Sequence, residues 1–166
     1  HILHELGLPS LTLEINNLGQ AADREIYRPI LVSYLKHHEA GLCGNCKHRI
    51  DANPLRVLDC KVPECRIITE QAPRLSESLS ETARSYFAQV LAGLDLIHIP
   101  YSLNHRLVRG LDYYNLTTFE VTATNLGAQN AVGAGGRYDG LVETLGGAST
   151  PAVGFAVGLE RIAMLL

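Results

Sequence analysis

The chain has 166 residues, 46% of them hydrophobic and 19% charged, with a formal net charge of −3. That composition excludes a disordered chain, and no apolar run approaches the ~18 residues of a membrane span. The slight negative charge gives no general warrant for nucleic-acid binding, though local contacts to RNA stay compatible with it.

The chain opens on His1 rather than methionine, so a fragment of something longer is expected. The start, "HILHELGLPS", lacks the basic n-region and apolar core of a signal peptide. The four cysteines do not form a secreted disulfide framework, so the expected compartment is the reducing cytoplasm. Three segments are expected, 1–19, 20–95 and 96–166, giving an α+β chain. In the first, "LTLEINNLG" alternates at Leu11, Leu13 and Ile15 as a half-buried strand ended by Gly19.

Residues 20–95 read as a helical insertion. The run "QAADREIYRPILVSYLKHHE" places Ile26, Ile30, Leu31, Tyr34 and Leu35 on one helix face, with Pro29 implying a helix start or a kink. Asn53-Pro54 and Pro63 punctuate a compact connector. In "SLSETARSYFAQVLAGL", Ser80 is the expected N-cap, Ala83, Phe87, Val90, Leu91 and Leu94 the apolar stripe, and Gly93 falls near the end.

Residues 96–166 are strands and glycines until the last turn. "LIHIPYSL" and "RLVRGLDYYNLTTFEVTA" predict strands, "NLGAQ" a connection, and "NAVGAGGRYDGL" another strand. "PAVGFAVGLERIAMLL" begins as a strand and becomes a helix from about Leu159.

Four groups of residues have chemistry to offer. Arg109, Asp112, Tyr113 and Tyr114 surround Gly110, and one flat strand cannot aim them all at a ligand unless Gly110 marks a bulge or bend. A guanidinium fork suits a carboxylate or phosphate, and phenols suit a small polar ring; an Arg109–Asp112 ion pair beside core tyrosines is the plain reading. "GAGGRYDG" allows a close backbone approach, or simply a tight hairpin turning at Asp139 and Gly140. In "GFAVGLERI", Arg161 stands in the first turn of a helix, where the macrodipole disfavours a cation. Cys43-x2-Cys46 with Cys60 and Cys65, all within 23 residues, fits either a tetrahedral structural zinc site or four reduced thiols. Between Lys36 and Arg66 the local charge is +2, a mild basic patch.

In that order, "LVRGLDYY", "AGGRYDGL" and "GFAVGLERI" closely resemble the signature of the bacterial-type histidyl-tRNA synthetase family. The first two look like its two histidine-specific motifs and the third like motif 3 of class II synthetases. "NPLRVLDCK" and "LTLEINNLG" match the same family, so the resemblance covers essentially the whole chain. It implies part of a class II antiparallel sheet with a helical insertion, from a cytoplasmic, homodimeric ligase. Such an enzyme activates L-histidine with ATP and Mg2+ and transfers it to tRNA(His).

Carried over residue by residue, the resemblance makes Arg109 the catalytic arginine, bridging the histidine carboxylate and the ATP α-phosphate. Its charge would stabilise the developing pentacovalent phosphorus, where other class II enzymes use a metal. Tyr113, Tyr114 and Tyr138 would line the histidine pocket, Tyr114 nearer the imidazole. Arg161 would bind the ATP γ-phosphate, and Gly158, with Gly135 and Gly136, would keep the floor open for ligand. The insertion would lie near the tRNA acceptor arm.

No segment resembles motif 1 or motif 2, and no anticodon-binding domain follows Leu166. The resemblance therefore implies a middle piece that does not aminoacylate alone. The runner-up is the synthetase-like, histidine-sensing regulatory subunit of ATP phosphoribosyltransferase, which tends to degrade the catalytic arginines; here Arg109 and Arg161 are both present. A stand-alone zinc-stabilised RNA-binding module is a third reading, opposed by the modest charge and the lack of stacked exposed aromatics.

Overall fold

The structure, a computed structural model, describes residues 2–8, 10–111, 113–127 and 130–166. A short helix α1 (Ile2–Glu5) precedes strand β1 (Leu11–Asn17), formed where the sequence alternates. Gly19 then turns the chain out of the sheet at φ +60, and a Cβ there would stand 2.7 Å from Leu79 and 2.8 Å from Asp23.

Helix α2 (Ala21–His37) runs through Pro29, so the helix does not start there. Its buried stripe is Asp23, Tyr27, Leu31 and Leu35. Ile26 and Ile30, expected inside, are 60% and 45% exposed. The reason lies at the N-terminus. Asp23 accepts the backbone N–H of Gln20 at 2.8 Å and of Ser80 at 2.7 Å, which pins the helix rotation so that every fourth residue from Asp23 faces inward.

Helices α3 (Gly44–Ala52), α4 (Leu55–Leu58) and α5 (Pro63–Glu70) follow, each short and buried on one side. One apolar core joins Leu31, Leu35, Ile50, Val57 and Leu75 to Val108, Tyr114 and Leu116 from the sheet side of the molecule. Helix α6 (Glu81–Leu96) starts at the expected cap, the Ser80 hydroxyl accepting from the Ala83 N–H at 3.3 Å. Its stripe is only half-buried beyond Ala83. Tyr86, Val90 and Leu94 stand over Leu13, Ile15 and Phe119 across a cavity of about 430 Å³.

Strands β2 (Tyr101–Leu103), β3 (Asn115–Ala123), β4 (Ala131–Arg137) and β5 (Val153–Val157) complete a five-stranded sheet in the order β2-β1-β3-β4-β5. β2 lies parallel to β1 and the remaining pairs are antiparallel. With the helices between β1 and β2, the architecture is α+β, as expected. Helix α7 (Leu141–Thr144) separates β4 from β5, so "GAGGRYDG" does not close a tight hairpin. Helix α8 (Leu159–Ala163) begins where the sequence turns helical.

Two predicted strands shrink. "LIHIPYSL" yields only β2, because α6 continues to Leu96 and His98 turns at φ 55. Residues 106–111 form no strand, and strand pairing begins at Asn115. Leu107 and Val108 are both buried. Side chains rather than a ladder satisfy the loop backbone: Asn16 donates to the Leu107 carbonyl at 3.0 Å, and the Asn104 side-chain oxygen accepts the Arg106 N–H at 3.0 Å.

Candidate functional site

Strand register sorts the sheet into two faces. Leu13, Ile15 and Phe119 lie under α6. The opposite face carries two cross-strand rows, Glu14–Glu120–Ala134–Ala156 and Asn16–Thr118–Gly136–Gly154. Two carboxylates and an amide meet small residues there, and Asn104, Leu107, Arg109 and Tyr114 reach both rows.

Glu14 and Glu120 stand directly opposite each other, a destabilising like-charge pair unless both are partnered. The loop supplies both partners. Asn104 donates to the Glu14 carboxylate at 2.5 Å, and Arg109 Nη1 lies 3.7 Å from Glu120. The Arg109 guanidinium carbon is also 5.5 Å from the centroid of the Tyr114 ring. Arg109 Nε is buried and finds no acceptor among the described residues. A desolvated donor without a partner is costly, and an acceptor placed beside it would relieve that cost.

Over the second row lie the tyrosines. A Cβ on Gly136 would stand 2.8 Å from Tyr114 Cδ1, and one on Gly154 would collide with the Tyr138 hydroxyl. The missing side chains on β4 and β5 thus let Tyr114 and Tyr138 lie down on the sheet. Tyr113 and Tyr114 are 4.6 Å apart between centroids, and Tyr138 meets them edge-on at 5.6 and 5.9 Å. A hydrogen bond with Tyr114, followed by burial, raises the Tyr113 phenol above its usual value. Tyr138 is held from both sides: its N–H donates to the Ala152 carbonyl at 2.8 Å, and Arg137 pairs with Asp139. Arg137 also donates to the Tyr86 hydroxyl of α6 at 2.5 Å.

The sequence-predicted residues thus fall into three places. Arg109, Tyr113, Tyr114 and Tyr138 come together on one face. Asp112 lies outside the described residues, and the partner found for Arg109 is Glu120. Arg161 donates to the Ala131 carbonyl at 2.6 Å, at the opposite end of β4 from the tyrosines. Gly158 caps α8, its N–H donating to the Val132 carbonyl at 2.9 Å. Gly135 packs against the backbone of β5 rather than forming open floor.

The third place is the thiol cluster. Cys43 is the N-cap of α3, Cys46 lies in its first turn, Cys60 follows α4 and Cys65 lies in the first turn of α5. Their four sulfurs are all within 4.8 Å of one another, with Cys43 and Cys60 at 4.0 Å. Four thiolates bound to one zinc at ~2.3 Å would lie about 3.8 Å apart, so the cluster fits the ion with small adjustment. The Cys46 backbone N–H, then the neighbouring thiols, bring Cys43 down to about 7, whereas burial pushes Cys46 and Cys65 up. Once deprotonated, such a set could hold a divalent cation.

Sequence reasoning missed Glu14, Asn16, Asn104 and Glu120. For Glu14, Asn16 and Glu120 the available signal was polar residues among the apolar positions of strands, in "TLEINN" and "TTFEVT"; Asn104 carried none.

A mostly antiparallel sheet with one polar face, helices between its first two strands and an arginine over that face match the class II aminoacyl-tRNA synthetase core that the sequence resemblance implies. The family model described as histidyl-tRNA synthetase matches residues 55–162, and the chain belongs to that family. A histidine–tRNA ligase of Desulfatibacillum aliphaticivorans is 50% identical over 161 residues, 97% of this chain and 38% of that protein. The crystal structure of apo S. aureus histidyl-tRNA synthetase is 37% identical, with a TM-score of 0.74 over all of this chain and 40% of the other. A Bacillus halodurans structure described as an ATP phosphoribosyltransferase regulatory subunit/histidyl-tRNA synthetase shares the fold, with a TM-score of 0.58 at 21% identity over 98% of this chain and 46% of that one. The chain spans about 40% of the length of the curated relatives it matches.

Proposed function

We propose that the protein containing this chain joins histidine to tRNA(His), and that the face described above binds the amino acid and part of ATP. The buried Arg109 Nε without an acceptor, beside the Tyr114 ring, carries this reading. Arg109 bridges the histidine carboxylate and the α-phosphate, its planar fork suited to two anions at once. The carboxylate oxygen attacks the α-phosphorus and the bond to the pyrophosphate oxygen breaks. Charge gathers on the equatorial phosphate oxygens, where a fixed guanidinium is most effective.

Tyr113, Tyr114 and Tyr138 line the histidine pocket, with phenol oxygens able to bond the imidazole nitrogens. Arg161 holds the γ-phosphate, with Gly158 leaving room beside it; ATP arrives as its Mg2+ complex. Residues 1–19 and 96–166 belong to the catalytic core. Residues 20–95 form an insertion facing the tRNA acceptor arm, and Cys43, Cys46, Cys60 and Cys65 hold a structural zinc there. When bound, the ion cross-links three short helices and supplies no chemistry. The full enzyme acts as a cytoplasmic homodimer, and the isolated chain does not aminoacylate. Among the described residues no helix is long and apolar enough to cross a membrane.

Histidine-dependent ATP–pyrophosphate exchange by the full-length protein tests this reading. Exchange is expected with histidine and with no other amino acid. Histidine binding without exchange would replace it with the regulatory, non-catalytic reading.

A further inference from the structure

We infer that Arg106 is a positioning residue that ties the Arg109 loop to the thiol-cluster segment, so that the order of the cluster is transmitted to Arg109. Arg106 stands three residues before Arg109, and its side chain is 20% exposed. Its Nε donates to the Leu58 carbonyl at 3.1 Å and its Nη2 to the Cys60 carbonyl at 3.2 Å. Nη1 lies 3.7 Å from the Glu70 carboxylate on α5. One guanidinium thereby spends its fork on the main chain of the insertion. Two of those three anchors sit on or close to a cluster residue, since Cys60 is a cluster member and Leu58 lies two residues before it.

The contact is returned from the other side. Arg56, paired with Asp59 at 2.9 Å, lies so close to Gly110 that a Cβ there would be 3.2 Å from Arg56 Nη1. Residues 56–60 therefore grip the loop at Arg106 and at Gly110, one on each side of Arg109. The 104–110 loop has no strand ladder of its own. Toward the sheet it is held by Asn16 on the Leu107 carbonyl and by Asn104, whose side chain donates to Glu14 and whose N–H donates to the Ile15 carbonyl, and toward the insertion by Arg106. A backbone fixed mainly by side-chain bonds moves when an anchor moves, and small displacements of a catalytic group cost large factors in rate.

Cluster and loop are linked through main-chain carbonyls. Losing a thiol displaces the Cys60 carbonyl without changing any residue of the adenylation face. This proposal rests on Arg109 acting in adenylate formation only for its kinetic consequence; the structural consequence is independent of it.

Amide hydrogen exchange of residues 104–111 in the full-length protein tests the coupling, comparing wild type, Arg106→Ala, Cys65→Ser and the double variant. Each single variant is expected to speed exchange in this segment roughly tenfold or more, and Cys65→Ser is expected to add nothing once Arg106 is gone. Unchanged exchange in Cys65→Ser, or a full additional effect in the double variant, would overturn the proposal. Should Cys65→Ser fail to fold, Arg106→Ala alone decides. It is expected to lower kcat for pyrophosphate exchange by roughly tenfold to a hundredfold, with KM for histidine within about twofold, and Arg106→Lys to restore only part. Unaltered loop protection in Arg106→Ala would sink the coupling. Absent pyrophosphate exchange in the wild type, with coupled loop protection intact, would sink only the synthetase reading.

Discussion

Arg109 and Glu120 form an ion pair across 3.7 Å that joins a loop to the middle of the sheet. Both side chains are 22% exposed, so the pair is partly desolvated and more strongly felt than a surface bridge. Glu120 in turn faces Glu14, and a carboxylate left there without Arg109 would meet like charge directly. Glu120 is thus what aims the guanidinium. Glu120→Gln keeps the shape and removes the charge. In the full-length enzyme it is expected to lower kcat for histidine-dependent pyrophosphate exchange by roughly tenfold to a hundredfold, with smaller change in KM. Steady-state kinetics with histidine varied would show the split.

The glycine floor makes a sharper steric prediction. A methyl on Gly136 would stand 2.7 Å from the Thr117 carbonyl and 2.8 Å from Tyr114, and the carbonyl cannot swing away. Gly136→Ala should therefore destabilise by about 1–3 kcal/mol and displace Tyr114. Gly154→Ala meets the Tyr138 hydroxyl, the far end of a side chain, so it should cost less stability while weakening histidine binding. Calorimetric binding and thermal melts on both variants would separate the two effects.

Asp23 supplies a pH signature. Burial acts to raise its pKa, but the N–H donors of Gln20 and Ser80, the Ser80 hydroxyl and the Arg24 charge outweigh it, leaving the folded value below 3.8. A depressed carboxylate stabilises fully above its unfolded pKa and loses that contribution as pH falls through the folded value. Asp23→Asn should thus cost about 1–2 kcal/mol near neutrality. The gap to wild type should narrow from ~pH 5 to ~pH 3, measured by denaturant midpoints. A constant gap over that range would show that the charge is not what anchors α2.

The thiol cluster makes a compositional prediction. Purified full-length protein should contain about one zinc per chain by elemental analysis, and Cys46→Ser should lose the metal together with several degrees of melting temperature. Metal-free protein with unchanged stability would leave four buried thiols as packing alone.

Much of this was legible beforehand, for physical reasons. β1 and α8 were readable because Leu11, Leu13 and Ile15 alternate and because the glycine-spaced strand gives way at Leu159. Ser80 was readable as a cap because its hydroxyl has a local task. The α2 face was misread because a long-range bond from Asp23 to Ser80 sets its rotation, and periodicity alone could not choose Tyr27 over Ile26. Residues 106–111 were misread as a strand because Leu107 and Val108 carry β propensity, while what holds them is Asn16, some 90 positions away. The candidate site residues stood out by chemical type. Their partners Glu14, Asn16 and Glu120 did not, since a carboxylate in a strand looks like an exposed one until the register places its neighbour.

On the proposed function, Arg109 stabilises charge in adenylate formation rather than merely filling a core. Histidine-dependent ATP–pyrophosphate exchange with Arg109→Ala in the full-length enzyme, alongside its dissociation constant for histidine, tests this most directly. A fall in kcat of about a hundredfold to a thousandfold, with histidine affinity changed far less, is the expected result. Exchange retained at the wild-type rate would contradict it and return Arg109 to a structural partner of Glu120.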